Sequence, residues 1–303
     1  MATTKTLKRK RHRTWDDKVL FSITNIMLLF VLIITAYPLI YVVSCSFSSG
    51  SAVSSGQVFL WPVGFTIQGY KIIFSYKAVW TGFANTIFYT VAGTIVNLIS
   101  TVLIAYPLSR PNYQARKGLL LLCTFSMMFA AGMVPKYMLI SSLGLINNRL
   151  VMIIDGAWSI SNMILMRTFF QSSIPGELIE AARLDGCSEL RTLWKIVLPL
   201  SKAVMAVITL YYAVGHWNAY FNAMLYLRDR DKYPLQIVLR DILNASKIDL
   251  SEIEDPELLK EMAGAADLMK YALIVVTSAP VIAAYPFVQK FFKKGVMLGS
   301  LKG

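Results

Sequence analysis

Six stretches of this chain are almost free of charge, and that pattern constrains the fold more than any other feature. Lys18 and Lys71 bracket the first, 19–70, and Lys77 and Arg110 bracket the second, 78–109. The third is 118–135. The fourth, 150–166, holds the single charge Asp155, and the fifth and sixth are 203–227 and 271–289. A bilayer core takes about 20 apolar residues per helix. Helices of one large water-soluble core would each need a charged face, and these runs lack one. The expectation is an all-α polytopic membrane protein with six spans, at about 19–44, 83–108, 118–135, 150–170, 201–227 and 268–292.

Charge placement orients those spans. Lys and Arg exceed Asp and Glu by 13 over 303 residues, and charged residues make up only 16%. Lys5, Lys8, Arg9, Lys10, Arg11 and Arg13 precede the first span, and Arg110, Arg116 and Lys117 follow the second. Arg183, Arg191, Lys195 and Lys202 separate the fourth from the fifth, and Lys290, Lys293, Lys294 and Lys302 close the chain. Lys and Arg collect on the cytoplasmic side of membrane proteins. A basic cytoplasmic segment (1–18), a six-helix domain (19–292) and a cytoplasmic tail (293–303) follow, with both termini inside. Nucleic-acid binding is the weaker reading of the basic start, because a span begins within a few residues. The first apolar run is too long for a signal peptide and lacks a clear cleavage site.

No catalytic constellation is visible. G-x-x-x-x-G-K-[ST], H-E-x-x-H, C-x-x-C and G-x-S-x-G are all absent, and one of only two histidines, His12, sits in the basic tail. Cys45, Cys123 and Cys187 have no metal-ligand spacing and suggest no disulfide framework. No metal site and no bound cofactor are expected, so any chemical energy comes from a partner.

One cytoplasmic segment, 171–200, interrupts the apolar pattern with "EAARLDGCSELRTLWKIVLPL". Pro175 suits a first helical turn, and Glu177 there meets the positive end of the helix dipole. Leu178, Ala181 and Ala182 are expected to share one face, where small side chains allow close approach. Asp185 and Gly186 break the helix, since glycine accepts positive φ cheaply. Ser188 can cap a second helix with Glu189 in its first turn and with Leu190, Leu193, Trp194 and Val197 as its apolar face. Pro199 marks entry to the fifth span. An interfacial helix lying on lipid is the alternative. It explains Trp194 and the lysines, but neither the alanine pair nor the break.

These residues resemble the EAA signature of permease subunits of bacterial ABC importers, with Glu180, Ala181, Ala182, Gly186, Ile196, Leu198 and Pro199 on its positions. The resemblance implies the type I ABC importer permease fold, with a coupling helix between the fourth and fifth spans. That helix would dock on an ATP-binding subunit, with Glu180 pairing a basic residue there and Asp185 and Leu190 alongside. "FLWPVGFTIQGYKIIF", "FYTVAGTIVNLISTVLIAYPLSR" and the ending "GVMLGSLKG" are similar to maltose-type carbohydrate permeases. "LYYAVGHWNAYFNAMLYLRDRDKYPLQIVLR" resembles the LplC/YtcP-like subgroup linked to complex oligosaccharides and polysaccharides. The resemblance further implies a second, distinct permease chain, two cytoplasmic subunits holding ATP and Mg, and an extracytoplasmic solute-binding protein. Part of the external segment, 228–267, would face that binding protein; a solvated loop with a short amphipathic helix near 256–262 is the alternative.

Polar side chains inside spans are costly and usually face a bundle interior or a water-filled path. Asp155, Ser159 and Asn162 recur at helical spacing in the fourth span. Tyr211, Gly215, Asn218 and Asn222 do so in the fifth, with Trp217 and His216 beside them. Amides next to aromatic rings suit a sugar, as rings stack on pyranose faces and amides bond hydroxyls. Interhelical hydrogen bonding is the competing reading. It is favoured for Thr94, Asn97 and Thr101 and for His216, and for Asp155 a pairing or capping role is open. An ion-gradient carrier is the rival from another class. It commonly shows inverted repeats with broken helices, and no repeat is evident in this sequence. An ABC importer of a non-sugar solute is the nearer alternative.

Overall fold

The computed structural model describes residues 15–129, 132–245 and 256–299, and every regular element among them is helical. The basic N-terminal cluster and the last four residues lie outside the described residues. Helix α1 (Trp15–Ser46) buries only Ser44, Cys45 and Ser46 and otherwise turns Leu, Ile and Phe outward on all sides. A helix apolar all round and uncovered by protein requires hydrocarbon as its solvent.

The Ser/Gly-rich connection that follows is folded, through α2 (Gly50–Ser54) and α3 (Gln68–Ser75). Ser44 Oγ donates to Leu60 O at 2.6 Å, and Phe47 stacks on Phe65. Tyr70 bonds Ser46 through its hydroxyl at 2.8 Å.

Helix α4 (Lys77–Ser109) is the central strut. It buries Asn85, Thr86, Thr94, Asn97 and Thr101 among apolar neighbours. Lipid is as apolar as leucine, so polar bonds and close packing, rather than burial from water, hold such helices together. Arg110 ends it in extended backbone (φ −84°, ψ 132°), as the following Pro111 demands.

Two expected spans are not straight helices. The third is α5 (Arg116–Met128) and α6 (Met133–Ser142), bent by 117°. Gly132 at φ +78° and Pro135 in the first turn of α6 supply the corner. The fourth is α7 (Val151–Ile154) and α8 (Ile160–Ser173), separated by an extended Asp155 and by Gly156 at φ +74°.

The charged segment 171–200 forms α9 (Gly176–Leu184) and α10 (Glu189–Thr192), then a π turn at Leu193–Val197 and α11 (Leu198–Leu200). An 85° bend at Ser201 leads into α12 (Lys202–Trp217), followed by α13 (Phe221–Tyr226) and α14 (Leu235–Ala245). Helix α14 is not a solvated loop. Leu235 and Ile237 are buried, and Leu235 N–H donates to Thr86 Oγ1 at 2.8 Å. Helix α15 (Pro256–Gly299) begins well before the expected sixth span and absorbs the predicted short helix at 256–262.

Among the described residues three stretches are long and apolar enough to cross a membrane: Trp15–Ser46, Lys77–Ser109 and Gly264–Pro286. The count is five if each of two bent pairs (α5 with α6, and Glu189–Leu200 with α12) is one span. The main core joins α4, α8, α9, the π turn and α12 through Val102, Phe170, Ile179, Leu193 and Ile208, all buried.

Candidate functional site: a polar cavity and a hinged helix pair

The break between α7 and α8 changes the polar pattern expected in this region. Asp155 lies in the extended link, so Asp155, Ser159 and Asn162 do not form one helical stripe. Asp155 instead turns into protein, with its side chain 5% exposed. Its Oδ1 pairs with Lys136 Nζ on α6 at 2.7 Å, and its Oδ2 accepts from Asn222 Nδ2 on α13 at 2.8 Å. One carboxylate therefore joins three elements. Lys136 was visible in the sequence only as the end of a charge-free run.

A cavity of about 190 Å³ opens beside this group, lined by Asn97, Asp155, Tyr211, Tyr212, His216 and Asn222 among others. A second cavity of about 510 Å³ adjoins through Asn222 and includes Lys136 and Phe221. Asn97 is not merely a packing residue. It lines the smaller cavity, its Nδ2 donates to Gly156 O at 2.8 Å, and its Oδ1 accepts from His216 Nε2 at 3.2 Å. Tyr212 Oη accepts from Ser159 N–H at 2.9 Å and bonds Thr101 at 2.7 Å. Ser159 thus meets the cluster through its backbone.

The fifth-span pattern is also divided. Helix α12 stops at Trp217, Asn218 is its C-cap, and Asn222 belongs to α13. Tyr211, Gly215 and Asn222 reach the cavity, whereas Asn218 and Asn162 are not in its lining. Trp217 is buried, donates Nε1–H to Thr277 O at 2.9 Å, and meets Phe83 edge-on. Those contacts fasten α12 to α15 and α4.

The segment 171–200 centres on two short helices joined at Gly186, whose φ is +75°. Asp185 is the C-cap of α9, and Ser188 Oγ caps α10 by accepting from Arg191 N–H. The expected single face of Leu178, Ala181 and Ala182 is split. Ala182 and Ile179 are buried, whereas Leu178, Glu180 and Ala181 stay on the outer side. Along α10 and the π turn after it the same division sends Leu193 and Val197 inward and leaves Leu190 and Trp194 exposed. Pro199 lies in α11, also exposed. The Glu180 side chain is exposed, and its charge adds to the raised pKa of Arg183 one turn on.

Glu189 ties this segment to the bundle. Its Oε1 accepts from Arg183 Nε at 3.0 Å and Nη2 at 2.7 Å, and its Oε2 accepts from Tyr106 Oη at 2.7 Å. The Tyr106 hydroxyl, then the Arg183 guanidinium, hold its carboxyl below the usual range against the opposing effect of partial burial. Glu189 in turn raises the pKa of Arg183.

A hinged, outward-facing pair of helices below a bundle with a polar cavity is the arrangement to compare with known proteins. Residues 114–297 match the family model of the binding-protein-dependent transport system inner membrane component. The chain belongs to this family. It is similar to protein LplC of Bacillus subtilis (strain 168), at 39% identity over 96% of this chain and 98% of that protein. It is equally similar, at 39% identity over 93% of this chain and 97% of the relative, to the polygalacturonan/rhamnogalacturonan transport system permease protein YtcP of the same organism. A solved chain of a bacterial ABC transporter involved in the import of the acidic polysaccharide alginate superposes with TM-score 0.83. That match has 39% identity and covers 93% of this chain and 99% of the other. This inner membrane component thus has the type I ABC permease fold, and membership excludes the ion-gradient carrier as the reading of its bundle.

Proposed function

We propose that this inner membrane component carries an oligosaccharide, a fragment of a larger polysaccharide, into the cell. It would supply half of the path and one coupling helix. The remaining subunits would be a distinct second permease chain, two ATP-binding subunits that hold ATP and Mg, and an extracytoplasmic binding protein. Six spans with both termini cytoplasmic fit this reading, with the bent pair α5–α6 and the broken pair α7–α8 each counted as one. In this reading 1–18 and 293–303 lie in the cytoplasm, 19–292 forms the membrane domain, and 228–267 faces outside.

The observation that carries the coupling role is the outer face of α9. Glu180 and Ala181 are exposed while Ile179 and Ala182 anchor the helix. An exposed carboxylate beside a methyl-sized surface suits a basic group in a protein groove. Ala182, Asp185, Gly186, Leu190 and Pro199 would set the shape of that docking element. Binding of ATP between the partner subunits would draw two such helices together and open the cavity outward, and hydrolysis would reset it.

For the cargo, the amides of Asn97 and Asn222 and the half-exposed ring of Tyr211 support a sugar path, and the names borne by the relatives agree with it. Asp155 acts there through Asn222 and Lys136. Ser159, Asn162, Trp217 and Asn218 would act by shaping the wall rather than by touching cargo.

The test is uptake of labelled oligosaccharides by the complete complex in proteoliposomes. ATP-dependent uptake that needs the binding protein is expected. Glu180→Lys should abolish it, and undiminished uptake in that variant would remove the coupling role. Uptake of no saccharide, with transport of another solute, would remove the cargo assignment alone.

A further inference from the structure

We propose that Tyr106 and Glu189 form the joint through which the hinged cytoplasmic segment moves the central helix α4. This rests on the reading that α9 docks on an ATP-binding subunit, and it adds the residues that pass the movement on. The two oxygens of Glu189 face in different directions. Oε1 takes both Arg183 donors from the last turn of α9, and Oε2 takes the Tyr106 hydroxyl from α4 at 2.7 Å.

Glu189 is the first residue of α10, across the Gly186 hinge from Arg183, so its carboxylate spans the hinge before it reaches the bundle. Tyr106 is held firmly. It is 6% exposed, with its ring edge-on to Phe170 and the Arg110 guanidinium stacked 4.8 Å from its centre. A hydrogen bond to a charged acceptor is strong and directional. A shift of α9 relative to the bundle must therefore drag Tyr106 or break this bond.

Helix α4 carries any such shift to the cavity. Between one and three turns away along it, Thr101 bonds Tyr212, and Asn97 bonds both Gly156 O and His216. Tyr106 and Glu189 are thus positioning residues. Neither touches cargo or nucleotide.

The experiment uses the whole complex in proteoliposomes, with Tyr106→Phe, Glu189→Ala and the double variant. Co-purification of the ATP-binding subunits, ATP hydrolysis and saccharide uptake are measured together. The expected result is intact assembly with continued hydrolysis, but uptake per ATP about tenfold lower in Tyr106→Phe. Because one joint is broken in each case, the double variant should be no worse than Glu189→Ala.

Uptake per ATP unchanged in Tyr106→Phe overturns the proposal. Losses that multiply in the double variant also overturn it. So does loss of the ATP-binding subunits from Tyr106→Phe, since the bond would then hold the docking surface rather than transmit motion. Failure of the docking reading shows separately, as undiminished uptake in Glu180→Lys.

Discussion

Gly93 lies directly against the imidazole of His216. A methyl group built on Gly93 would sit 2.4 Å from Cε1 and Nε2 of that ring, closer than atoms can approach. Helices α4 and α12 can meet at this level only because one of them has no side chain there. Gly93→Ala should push the ring away and break its bond to Asn97, costing about 1–3 kcal/mol. Thermal unfolding in detergent measures it, and Gly93→Ala combined with His216→Ala should recover part of the loss. Wild-type stability in Gly93→Ala alone would show that the ring has room to move.

Lys136 and Asp155 give a second prediction. Lys136→Met leaves a carboxylate that is 5% exposed with Asn222 as its remaining side-chain partner, and should cost about 1–3 kcal/mol. The double change Lys136→Met with Asp155→Leu should cost less than Lys136→Met alone, because no buried charge is then stranded. Equal losses in the two variants would mean that the pair is not energetically linked.

Gly186 holds φ at +75°, where a side chain is strained. Gly186→Ala should weaken the cytoplasmic segment by about 1 kcal/mol and lower recovery of the ATP-binding subunits on co-purification. Gly186→Asn should lose less, since asparagine tolerates that conformation. If alanine and asparagine behave alike, the backbone conformation is not what matters there.

Glu189 sets a pH dependence. Its folded pKa lies below the ordinary 4.5, so the folded chain binds fewer protons than the unfolded chain in that range. Its contribution is fully present above the ordinary value and is lost as pH falls through the folded value. Detergent-solubilised wild type should therefore melt above Glu189→Gln at neutral pH, and the gap should close in acid below about 4.5. A gap that stays constant with pH would assign the difference to something other than this carboxylate.

The sequence carried much of this. Charge-free runs located α1, α4 and the middle of α15, because hydrocarbon admits few charges and that requirement is local. The hinge at Gly186 and the cap at Ser188 were also legible, since each depends on one residue and its neighbours. The breaks at Gly132 and Asp155 were not. An apolar run reads the same whether its helix is straight or bent, and only contacts from α6 and α13 explain why Asp155 turns inward. For the same reason Lys136, Tyr106 and Asn147 were missed. Asn147 adopts φ 58° and accepts Arg228 N–H and Asp229 N–H through Oδ1, partners about 80 residues distant that no local spacing reveals.

Helix α15 contains 44 residues. At about 1.5 Å per residue it extends to roughly 66 Å, more than twice the thickness of a bilayer's hydrocarbon core. Even at a tilt of about 40°, roughly two fifths of its length must stand in headgroups or water. In the complex proposed above, a single continuous piece of backbone would therefore reach from the side where cargo is recognised to the side where nucleotide is held.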